Sequence, residues 1–302
     1  MTDERIRVFA IVNPAAGGDP RGLLRALHDR RELAVRAVFT EGPGDAERFA
    51  GEQAAADWAE VVVAIGGDGT VGEVAAGLHR GNATGAMLIA PAGTGNSSYC
   101  GLCEDRPWTD IVAGLATGTL ARVTVDLARI EEINRIVLLG TTTGLLPATL
   151  DIARTMSGSG RDLLSDATAA ALRKHRPYPV RVRIDGTVAY NDELLGTYVG
   201  GMRFRGGRFE MLPESVIDDG LLDICFLNAT AAPRYGRGTR IVIERVDDRP
   251  LLIEYDGELR QLGSTCTIRA LPNALEVLVP VPLPAAFGAR QRAIQTPSRM
   301  IS

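Results

Sequence analysis

The sequence has few of the residues on which several common classes of enzyme and metal site depend. Its 302 residues contain four cysteines and three histidines. Cys100 and Cys103 have the spacing of half a zinc site, but no second close pair completes the set, so we interpret the cysteines as small buried residues. The histidines have no serine or cysteine motif nearby, and Gly-x-Ser-x-Gly is absent, which argues against a nucleophile–histidine hydrolase.

Long apolar runs and an excess of positive charge are missing as well. No run approaches the length of a membrane span, and the charged N-terminus leads into only a short apolar stretch, so no secretory signal is apparent. With few cysteines and no such signal, we expect a cytoplasmic protein whose contact with a membrane is peripheral, at the inner face. The net charge of −4 argues against a nucleic-acid partner. The sequence leaves open whether the protein forms a homodimer.

Length and residue pattern predict two domains. The chain is too long for one small domain, and its 45% of hydrophobic residues can build real cores. Through residues 1–125, short apolar strands alternate with single helices, which predicts an α/β domain with a doubly wound parallel sheet. Residues 126–283 contain strand-like runs linked by turns and one helix at about 162–174, which predicts a β-rich second domain. Residues 284–302 are interpreted as a C-terminal tail, partly ordered at its start.

The stretch Val61–Thr70 organises the first domain. Five apolar residues, suited to a strand buried on both faces, run into Gly66-Gly67-Asp68-Gly69-Thr70, and a helical apolar stripe follows. Such a loop aims backbone N–H groups and a helix N-terminus at one point, which is how many proteins hold a phosphate. Asp68 would repel a bare phosphate, so it indicates a nucleotide with Mg²⁺. The alternative is a tight turn in which Asp68 or Thr70 caps the helix.

Three further loops are predicted to share one edge of the sheet with this one. The loops at Asn13, Thr40 and Gly93 also follow strands, and the carboxyl ends of parallel strands meet at the same edge. Ligands of doubly wound sheets bind beyond that edge. Asp45 is predicted to cap the helix that follows the Thr40 loop.

Two common nucleotide signatures do not fit the chain. Gly67-x-Gly69-x-x-Gly72 matches the dinucleotide fingerprint formally, but the acid that the fingerprint requires about twenty residues later is replaced by Ala90-Pro91-Ala92-Gly93. A Walker A loop is excluded because Gly-Lys-Ser/Thr does not occur. Neither an NAD-dependent oxidoreductase nor a P-loop enzyme is therefore expected.

Two acidic turns and one basic cluster are the remaining candidates. Asp218-Asp219-Gly220 and Asp256-Gly257-Glu258 have the spacing of ordinary turns, the second of the Asp-Gly hairpin kind. Residues 173–176 form the densest basic cluster, and such clusters are either solvated surface or sites for a phosphate or a lipid headgroup. Spacing alone gives none of the three a function.

Taken together, the motifs resemble the diacylglycerol kinase catalytic-domain family, which includes bacterial lipid kinases and sphingosine kinases. The resemblance spans nearly the whole chain. The motifs, in the family's order, are Asn13-Pro14 with Gly17, Thr40 with Pro43-Gly44-Asp45-Ala46, Gly66-Gly67-Asp68-Gly69-Thr70, Gly93-Thr94-Gly95-Asn96, Asp219-Gly220 and Asp256-Gly257-Glu258. Each motif is weak alone, whereas the ordered set is specific.

The resemblance implies a kinase that uses ATP and Mg²⁺ to phosphorylate the hydroxyl of a lipid met at a membrane surface, of the diacylglycerol or sphingoid-base type. It also implies that the second domain is sandwich-like and that the nucleotide lies between the domains. The nucleotide contacts that it implies are Asn13, Pro14, Gly17, Thr40, Gly66, Gly67, Asp68, Gly69, Thr70, Gly72, Glu73, Gly93, Thr94 and Asn96.

The resemblance also assigns roles to the acidic residues. Glu258 is the expected base that removes the acceptor's proton, with Asp256 as its orienter or as a metal contact, because phosphoryl transfer needs positioning, charge neutralisation and a nearby base. Asp68 and Asp126 are expected in a network of Mg²⁺ and water. Asp219 is expected in a separate structural Mg²⁺ site, with the carbonyls of Val216 and Leu221 as the other ligands.

The chain departs from the family pattern at places that concern the acceptor. Ser97 stands where many bacterial members carry Asp, and residues 138–144 and 200–204 lack the Asn that is usual in these regions. These differences leave open a kinase of a soluble hydroxyl compound, or a nucleotide-binding relative without catalysis. The NAD kinases share Gly-Gly-Asp-Gly-Thr, but their second, Thr-Gly-Ser-rich signature is absent here.

Overall fold

The structure, a computed structural model, describes residues 5–157, 160–206, 209–229 and 231–288. The helices are α1 (Pro20–His28), α2 (Asp45–Ala56), α3 (Asp68–Arg80), α4 (Ser97–Cys103), α5 (Trp108–Thr117), α6 (Leu145–Ala153) and α7 (Gly160–Lys174). The strands are β1 (Ile6–Val12), β2 (Leu33–Phe39), β3 (Val61–Gly66), β4 (Ala86–Pro91), β5 (Ala121–Ile130), β6 (Arg135–Val137), β7 (Thr141–Gly144), β8 (Tyr178–Ile184), β9 (Thr187–Leu194), β10 (Gly196–Gly200), β11 (Phe204–Arg205), β12 (Phe209–Glu210), β13 (Leu222–Leu227), β14 (Arg234–Gly238), β15 (Arg240–Arg245), β16 (Leu252–Tyr255), β17 (Glu258–Gln261) and β18 (Thr265–Val279).

The first unit is built on four parallel strands in the order β2-β1-β3-β4. Every residue of β3 is buried, as expected for a central strand whose faces are both covered by helices. In α3, Val71, Val74 and Leu78 are each at most 1% exposed and join the same core. The predicted α/β fold with a parallel sheet is confirmed.

The loops that follow these strands meet at one edge, as predicted. The Asn13 backbone N–H donates to the Ile65 carbonyl at 2.9 Å, and the Thr40 N–H donates to the Val12 carbonyl at 2.9 Å. On the other side of β3, the Ala92 N–H donates to the Gly66 carbonyl at 3.0 Å. Backbone hydrogen bonds thus tie the four loops to one another at the carboxyl ends of the strands.

The second unit is β-rich and largely antiparallel, which confirms that part of the predicted fold class. One of its sheets has the strand order β14-β13-β10-β7-β16-β17, and β15, β8 and β9 extend the larger sheet beyond β18. Buried apolar residues of both sheets, including Ile224, Ile241 and Ile253, form a second core. The two sheets therefore face each other across a shared apolar interior.

Two helices of this region precede β8, whereas the sequence indicated one. The predicted helix at about 162–174 corresponds to α7, and α6 was not expected. Pro147 lies in the first turn of α6, where a residue without a backbone N–H is tolerated. A helix was not predicted here because the segment has only nine residues and its third residue is a proline.

The long strand β18 connects the units. It pairs antiparallel with β5 and contacts the parallel sheet where Val277 lies opposite Met87 of β4. Leu275, Val277 and Phe287 belong to the core of the first unit. The division at residues 125 and 283 stays a prediction, and residues 289–302 of the predicted tail lie outside the described residues.

Two smaller observations concern the cysteines and the helices. All four cysteines are buried, as their interpretation as small core residues requires. No helix in the described ranges is both long and apolar enough to cross a membrane.

Candidate active site

A cleft of about 820 Å³ lies between the shared edge of the parallel sheet and the turn at residues 256–258. Sequence-predicted residues in its walls are Asn13, Pro14, Thr40, Gly69, Thr70, Glu73, Asp256 and Glu258. The predicted phosphate loop and the predicted acidic pair, almost two hundred residues apart, thus face the same space. Arg154, which the sequence did not single out, lines the cleft as well, and its Nη2 donates to the Gly257 carbonyl at 3.3 Å.

The N-terminus of α3 is the most favourable phosphate site in this cleft. Gly67 is the N-cap residue, and no side chain forms a capping hydrogen bond there. The N–H groups of the first turn and the positive end of the helix dipole therefore remain available for an anion. Asn13 positions this turn, because its Nδ2 donates to Thr70 Oγ1 at 3.1 Å.

Close approach of the second unit requires glycine in α3. A Cβ atom added to Gly72 would collide with the carboxylate of Asp256, and one added to Gly69 would lie 3.2 Å from the Asp256 carbonyl oxygen. The glycines at positions 69 and 72 therefore let the acidic turn pack directly on the phosphate loop. This reason differs from the pyrophosphate approach of the dinucleotide fingerprint, which the same spacing imitates.

Asp68 does cap a helix, but the helix is α4 and not α3. Its Oδ2 accepts a hydrogen bond from the Ser97 N–H at 3.0 Å, and its Oδ1 accepts from the Ser98 N–H and hydroxyl, both at 3.0 Å. A carboxylate on the first N–H groups of a helix satisfies donors that have no partner within the helix. Asp68 therefore joins the phosphate loop to the loop at residues 93–96.

The two carboxylates of the acidic turn have different surroundings. Asp256 is 4% exposed, and its oxygens accept hydrogen bonds from the Leu138 N–H at 3.1 Å and the Leu139 N–H at 2.9 Å. Burial raises the pKa of Asp256 to about 6, although Arg205 and the two N–H groups act in the opposite direction. Asp256 thus fixes the turn against the strand segment at residues 138–139.

Glu258 is the accessible acid of the pair, with 39% of its side chain exposed. Its Oε2 accepts a hydrogen bond from the Tyr255 hydroxyl at 3.1 Å, and its Oε1 lies 3.5 Å from Arg135 Nη2. Arg135 also forms an ion pair with Glu47 of α2. Sequence reasoning missed Arg135 and Tyr255, and no local signal marks Arg135, whose partners lie 88 and 123 positions away.

The start of α2 is held by carboxylates from two places. Glu73, which is 8% exposed, accepts hydrogen bonds from the Gly44 N–H at 2.8 Å and the Ala46 N–H at 3.1 Å. Burial raises the pKa of Glu73. Asp45 was wrongly predicted as the cap: it is the first residue of α2, after Gly44, and accepts from the N–H groups of Glu41 and Gly42 instead.

The remaining predicted nucleotide residues lie beside the cleft. Gly66 ends β3, and Gly67 begins the turn into α3. Two hydrogen bonds between Gly93 and Asn96 close the loop at residues 93–96. The Gly93 N–H donates to Asn96 Oδ1 at 2.8 Å, and Asn96 Nδ2 donates to the Gly93 carbonyl at 2.7 Å. A Cβ on Gly17 would lie 3.6 Å from Thr94 Oγ1, so these two loops touch.

Comparison with known proteins agrees with this geometry. The family model for the diacylglycerol kinase catalytic domain matches residues 7–128. A protein of Xanthomonas oryzae pv. oryzae (strain MAFF 311018), named probable lipid kinase YegS-like, is 30% identical over 257 residues, which cover 75% of this chain and 80% of that protein. The chain belongs to the diacylglycerol kinase catalytic-domain family.

Other members extend the match. A protein of the same name from Xanthomonas euvesicatoria pv. vesicatoria (strain 85-10) is 29% identical over 287 residues, 85% of this chain and 90% of that protein. The crystal structure of a diacylglycerol kinase from Bacillus anthracis str. Sterne has a TM-score of 0.68 at 22% identity, over 91% of this chain and 97% of that chain, which shows a shared fold. The resemblance inferred from the ordered motifs is confirmed, and the names of the relatives support a kinase.

Asp126, the second residue of the predicted Mg²⁺–water network, is bound by backbone N–H groups. Asp126 is 4% exposed, and its carboxylate accepts hydrogen bonds from the Gly220 N–H at 2.6 Å and the Asn273 N–H at 2.7 Å. Burial raises its pKa, and Asp219 and Asp218 raise it further. Asp126 therefore contacts the turn at residues 218–220, and its place in the Mg²⁺–water network stays a prediction.

The predicted structural metal site at this turn has a positively charged side chain beside its carboxylate. Asp219 Oδ1 accepts a hydrogen bond from the Leu221 N–H at 3.0 Å, and its Oδ2 lies 3.1 Å from Arg237 Nη2. A cation at Asp219, with the carbonyls of Val216 and Leu221, would lie beside this guanidinium.

A second, apolar pocket of about 320 Å³ adjoins the acidic turn. Leu146 and Leu150 of α6 contribute to its walls with Met211. Asp68, Arg205, Glu254 and Gly257 also line it. The sequence did not indicate this pocket, because α6 was not recognised as a helix.

A buried ion pair lies in the wall of the pocket. Arg205 is paired with Glu254, and their side chains are 11% and 7% exposed. Glu254 also accepts hydrogen bonds from the Gly257 N–H at 2.7 Å and from the Thr142 hydroxyl at 2.8 Å. The pair therefore holds the acidic turn from the side of the pocket, while Asp256 holds it from the side of residues 138–139.

Proposed function

We propose that the protein is an ATP- and Mg²⁺-dependent lipid kinase, which transfers the γ-phosphoryl group of ATP to a hydroxyl of a lipid of the diacylglycerol or sphingoid-base type. One observation carries the proposal: Gly257 lines both the polar cleft and the apolar pocket. A phosphoryl donor in the cleft and an apolar acceptor in the pocket would meet at the turn that bears Glu258. A phospholipid pathway is the corresponding metabolic setting.

The donor side of the proposal rests on the phosphate loop and Arg154. The phosphates would bind at the open N-terminus of α3, where N–H groups and the helix dipole favour negative charge. Among the described residues of the cleft wall, Arg154 is the one basic side chain, and we assign it to the transferred phosphate.

Asp68 is the residue that fits the metal of the nucleotide. Its Oδ2 accepts one hydrogen bond, so a lone pair remains for a water molecule bound to Mg²⁺. Mg²⁺ supplies charge neutralisation on the β- and γ-phosphates. Asp68 lines the apolar pocket and its neighbour Gly69 lines the cleft, so Asp68 would orient the nucleotide from the side of the pocket.

The acceptor side rests on Glu258 and the apolar pocket. Glu258 would take the proton of the lipid hydroxyl as that oxygen attacks the γ-phosphorus, and ADP would leave with the electron pair of the broken P–O bond. Arg135 and Tyr255 orient the Glu258 carboxylate. Asp256 is assigned to positioning, because it is buried and its carboxylate ties the acidic turn to the N–H groups of Leu138 and Leu139.

The pocket favours a lipid over a soluble hydroxyl compound. A hydrocarbon chain would make apolar contacts with Leu146, Leu150 and Met211 in the pocket wall. A small polar metabolite would leave this apolar surface exposed to water. Phe209, which is 66% exposed, lies at the same pocket. Such a side chain suits peripheral contact with a bilayer, and we place the reaction at the inner face of the membrane.

Transfer of label from ATP to a lipid panel in mixed micelles tests this function. We expect a phosphorylated product from a diacylglycerol or a sphingoid base, only when Mg²⁺ is present, and none from a panel of soluble alcohols. Protection by ATP against thermal unfolding, measured on the same preparation, reports nucleotide binding separately. Protection without transfer to any lipid would favour the non-catalytic alternative, and transfer to a soluble alcohol would favour the metabolite kinase.

A further inference from the structure

Arg237 lies in a group of acidic side chains at the junction of the two units. Strands β13 and β14 pair antiparallel, which sets Arg237 directly opposite Asp223. Its Nε lies 3.1 Å from Asp223 Oδ1 and its Nη2 3.2 Å from Asp223 Oδ2, the two-point geometry that suits a guanidinium and a carboxylate. The same Nη2 lies 3.1 Å from Asp219 Oδ2. One guanidinium thus bridges two carboxylates.

The surroundings of Arg237 carry a surplus of negative charge. Asp218 raises the pKa values of both Asp126 and Asp219, so these carboxylates lie within electrostatic reach of one another. Burial is the larger cause for Asp126 and Asp219. A site of this kind needs a positive charge, and Arg237 provides one that does not titrate at physiological pH.

The loop at residues 215–221, which contains Asp219, joins several elements. The Asp126 N–H of β5 donates to the Ile217 carbonyl at 2.8 Å, and the Ile217 N–H donates to the Ala286 carbonyl at 3.0 Å. The Gly288 N–H donates to Asp218 Oδ1 at 2.7 Å. The loop thereby holds β5, β13 and the chain segment after β18 together, so its charge balance concerns the junction of the units.

We propose that Arg237 serves as a built-in cation of this loop, in the place that the family resemblance gave to a structural divalent ion at Asp219. An ion with Asp219 as ligand would have to displace the guanidinium or lie beside it. The fold of this chain is then independent of divalent ions. The inference goes beyond the proposed kinase activity, since it concerns the folded protein without nucleotide or lipid.

Thermal unfolding of the full chain, freed of metal by a chelator and without nucleotide, tests the proposal. We expect the wild-type melting temperature to be unchanged by millimolar Ca²⁺ or Mg²⁺. Arg237→Met should lower it by about 4 °C. Calcium ions should restore part of that loss with saturation, because they can bind the acidic loop once the guanidinium is gone.

Arg245→Met is the matched control, since Arg245 forms a two-point pair with Asp247 outside this loop. Its melting temperature should not respond to Ca²⁺. A saturable rise of the wild-type melting temperature with Ca²⁺ that Asp219→Asn abolishes would overturn the proposal. So would an Arg237→Met variant with unchanged stability or with a loss that Ca²⁺ does not repair.

Calorimetric titration of Ca²⁺ into wild type and Asp219→Asn decides the matter where Arg237→Met does not fold. We expect no heat of binding attributable to Asp219, and a site present in wild type but absent in Asp219→Asn would contradict the proposal. None of these measurements uses ATP or lipid, so their outcome is separate from that of the kinase assay.

Discussion

The carboxylate of Glu254 accepts a 2.7 Å hydrogen bond from the backbone N–H of Gly257, the residue that lines both the polar cleft and the apolar pocket. Because Glu254 is also paired with Arg205 and accepts from the Thr142 hydroxyl, the position of the acidic turn depends on a buried ionic group. Such a group is stable only while all its members are present.

The first prediction concerns the stability of this pair. Glu254→Gln should destabilise the protein by about 3–5 kcal/mol, because Arg205 keeps its charge in a buried site without its partner. The double variant with Arg205→Met should recover most of that loss, since it removes both charges. Urea unfolding of the single and double variants measures the effect. Glu244→Gln, whose ion pair with Arg181 is partly exposed, is the control and should cost no more than about 1 kcal/mol. A double variant no more stable than Glu254→Gln would contradict the explanation.

The second prediction concerns the base. Glu258→Gln should lower kcat for lipid phosphorylation by about 10²–10⁴-fold, because an amide cannot take the hydroxyl proton. ATP protection against thermal unfolding should be retained, since the phosphate loop is unchanged. Glu244→Gln again serves as the control and should keep full turnover. A Glu258→Gln enzyme with wild-type kcat would reassign the proton transfer to another group.

The third prediction concerns pH. The pKa of Asp256 is raised to about 6 from an ordinary value of 3.8, chiefly by burial. The folded state therefore binds this proton more readily than the unfolded state, so stability due to Asp256 is fully present below pH 3.8 and is lost as pH rises through about 6. The full difference is on the order of 3 kcal/mol.

Urea unfolding of wild type and Asp256→Asn between pH 4 and pH 7 measures this effect. The difference between the two proteins isolates Asp256 from Glu73, Asp126 and Asp219, whose pKa values are raised as well. Wild type should lose stability relative to Asp256→Asn as pH rises. Parallel curves would mean that Asp256 does not titrate in this range.

The sequence predicted the parallel sheet and the phosphate edge well because their signals are local. In β3 and α3 the apolar pattern, the glycines and the turn occupy one continuous stretch, residues 61–80. The long strand β18 was recognised only at its end, because Leu271-Pro272-Asn273-Ala274 interrupts the pattern at an irregularity in its pairing with β5. Pairing with β5 on both sides of this irregularity makes β18 one strand, and that pairing cannot be inferred from the residues of β18 alone.

The hydrogen-bond partners of the candidate site residues could not be predicted from the sequence. Asp68 lies in the predicted phosphate loop, but its partners Ser97 and Ser98 lie 29 and 30 positions away, and only the fold brings them together. Arg237 was missed for the same reason, since its position opposite Asp223 depends on the pairing of β13 with β14. Motif order identifies the family, whereas hydrogen-bond partners require the tertiary structure.

The fourth prediction separates the two roles of Asp68. Asp68→Ala should cost about 1 kcal/mol of stability through loss of the α4 cap, and it should raise the Mg²⁺ concentration needed for half-maximal activity if Asp68 orients metal-bound water. Ser98→Ala removes one hydrogen bond to Asp68 and should leave the Mg²⁺ dependence unchanged. Equal Mg²⁺ titration curves for wild type and Asp68→Ala would limit Asp68 to the capping role.

The fifth prediction concerns the acceptor pocket. Leu150 lies on α6 in the wall of the pocket, and replacing it with Trp should fill space that the lipid chain would occupy. We expect kcat/KM for the lipid to fall at least about 10-fold, since even one methylene group that a hydrophobic pocket cannot accommodate costs about 1–3 kcal/mol. The KM for ATP should not change, because Leu150 is absent from the wall of the cleft.

Leu172→Trp on α7 is the matched control and should keep wild-type kinetics. This position is 50% exposed and lies outside the described wall of the pocket. If Leu150→Trp phosphorylates long-chain and short-chain lipids as wild type does, the hydrocarbon chain binds elsewhere and the apolar pocket loses its place in the mechanism.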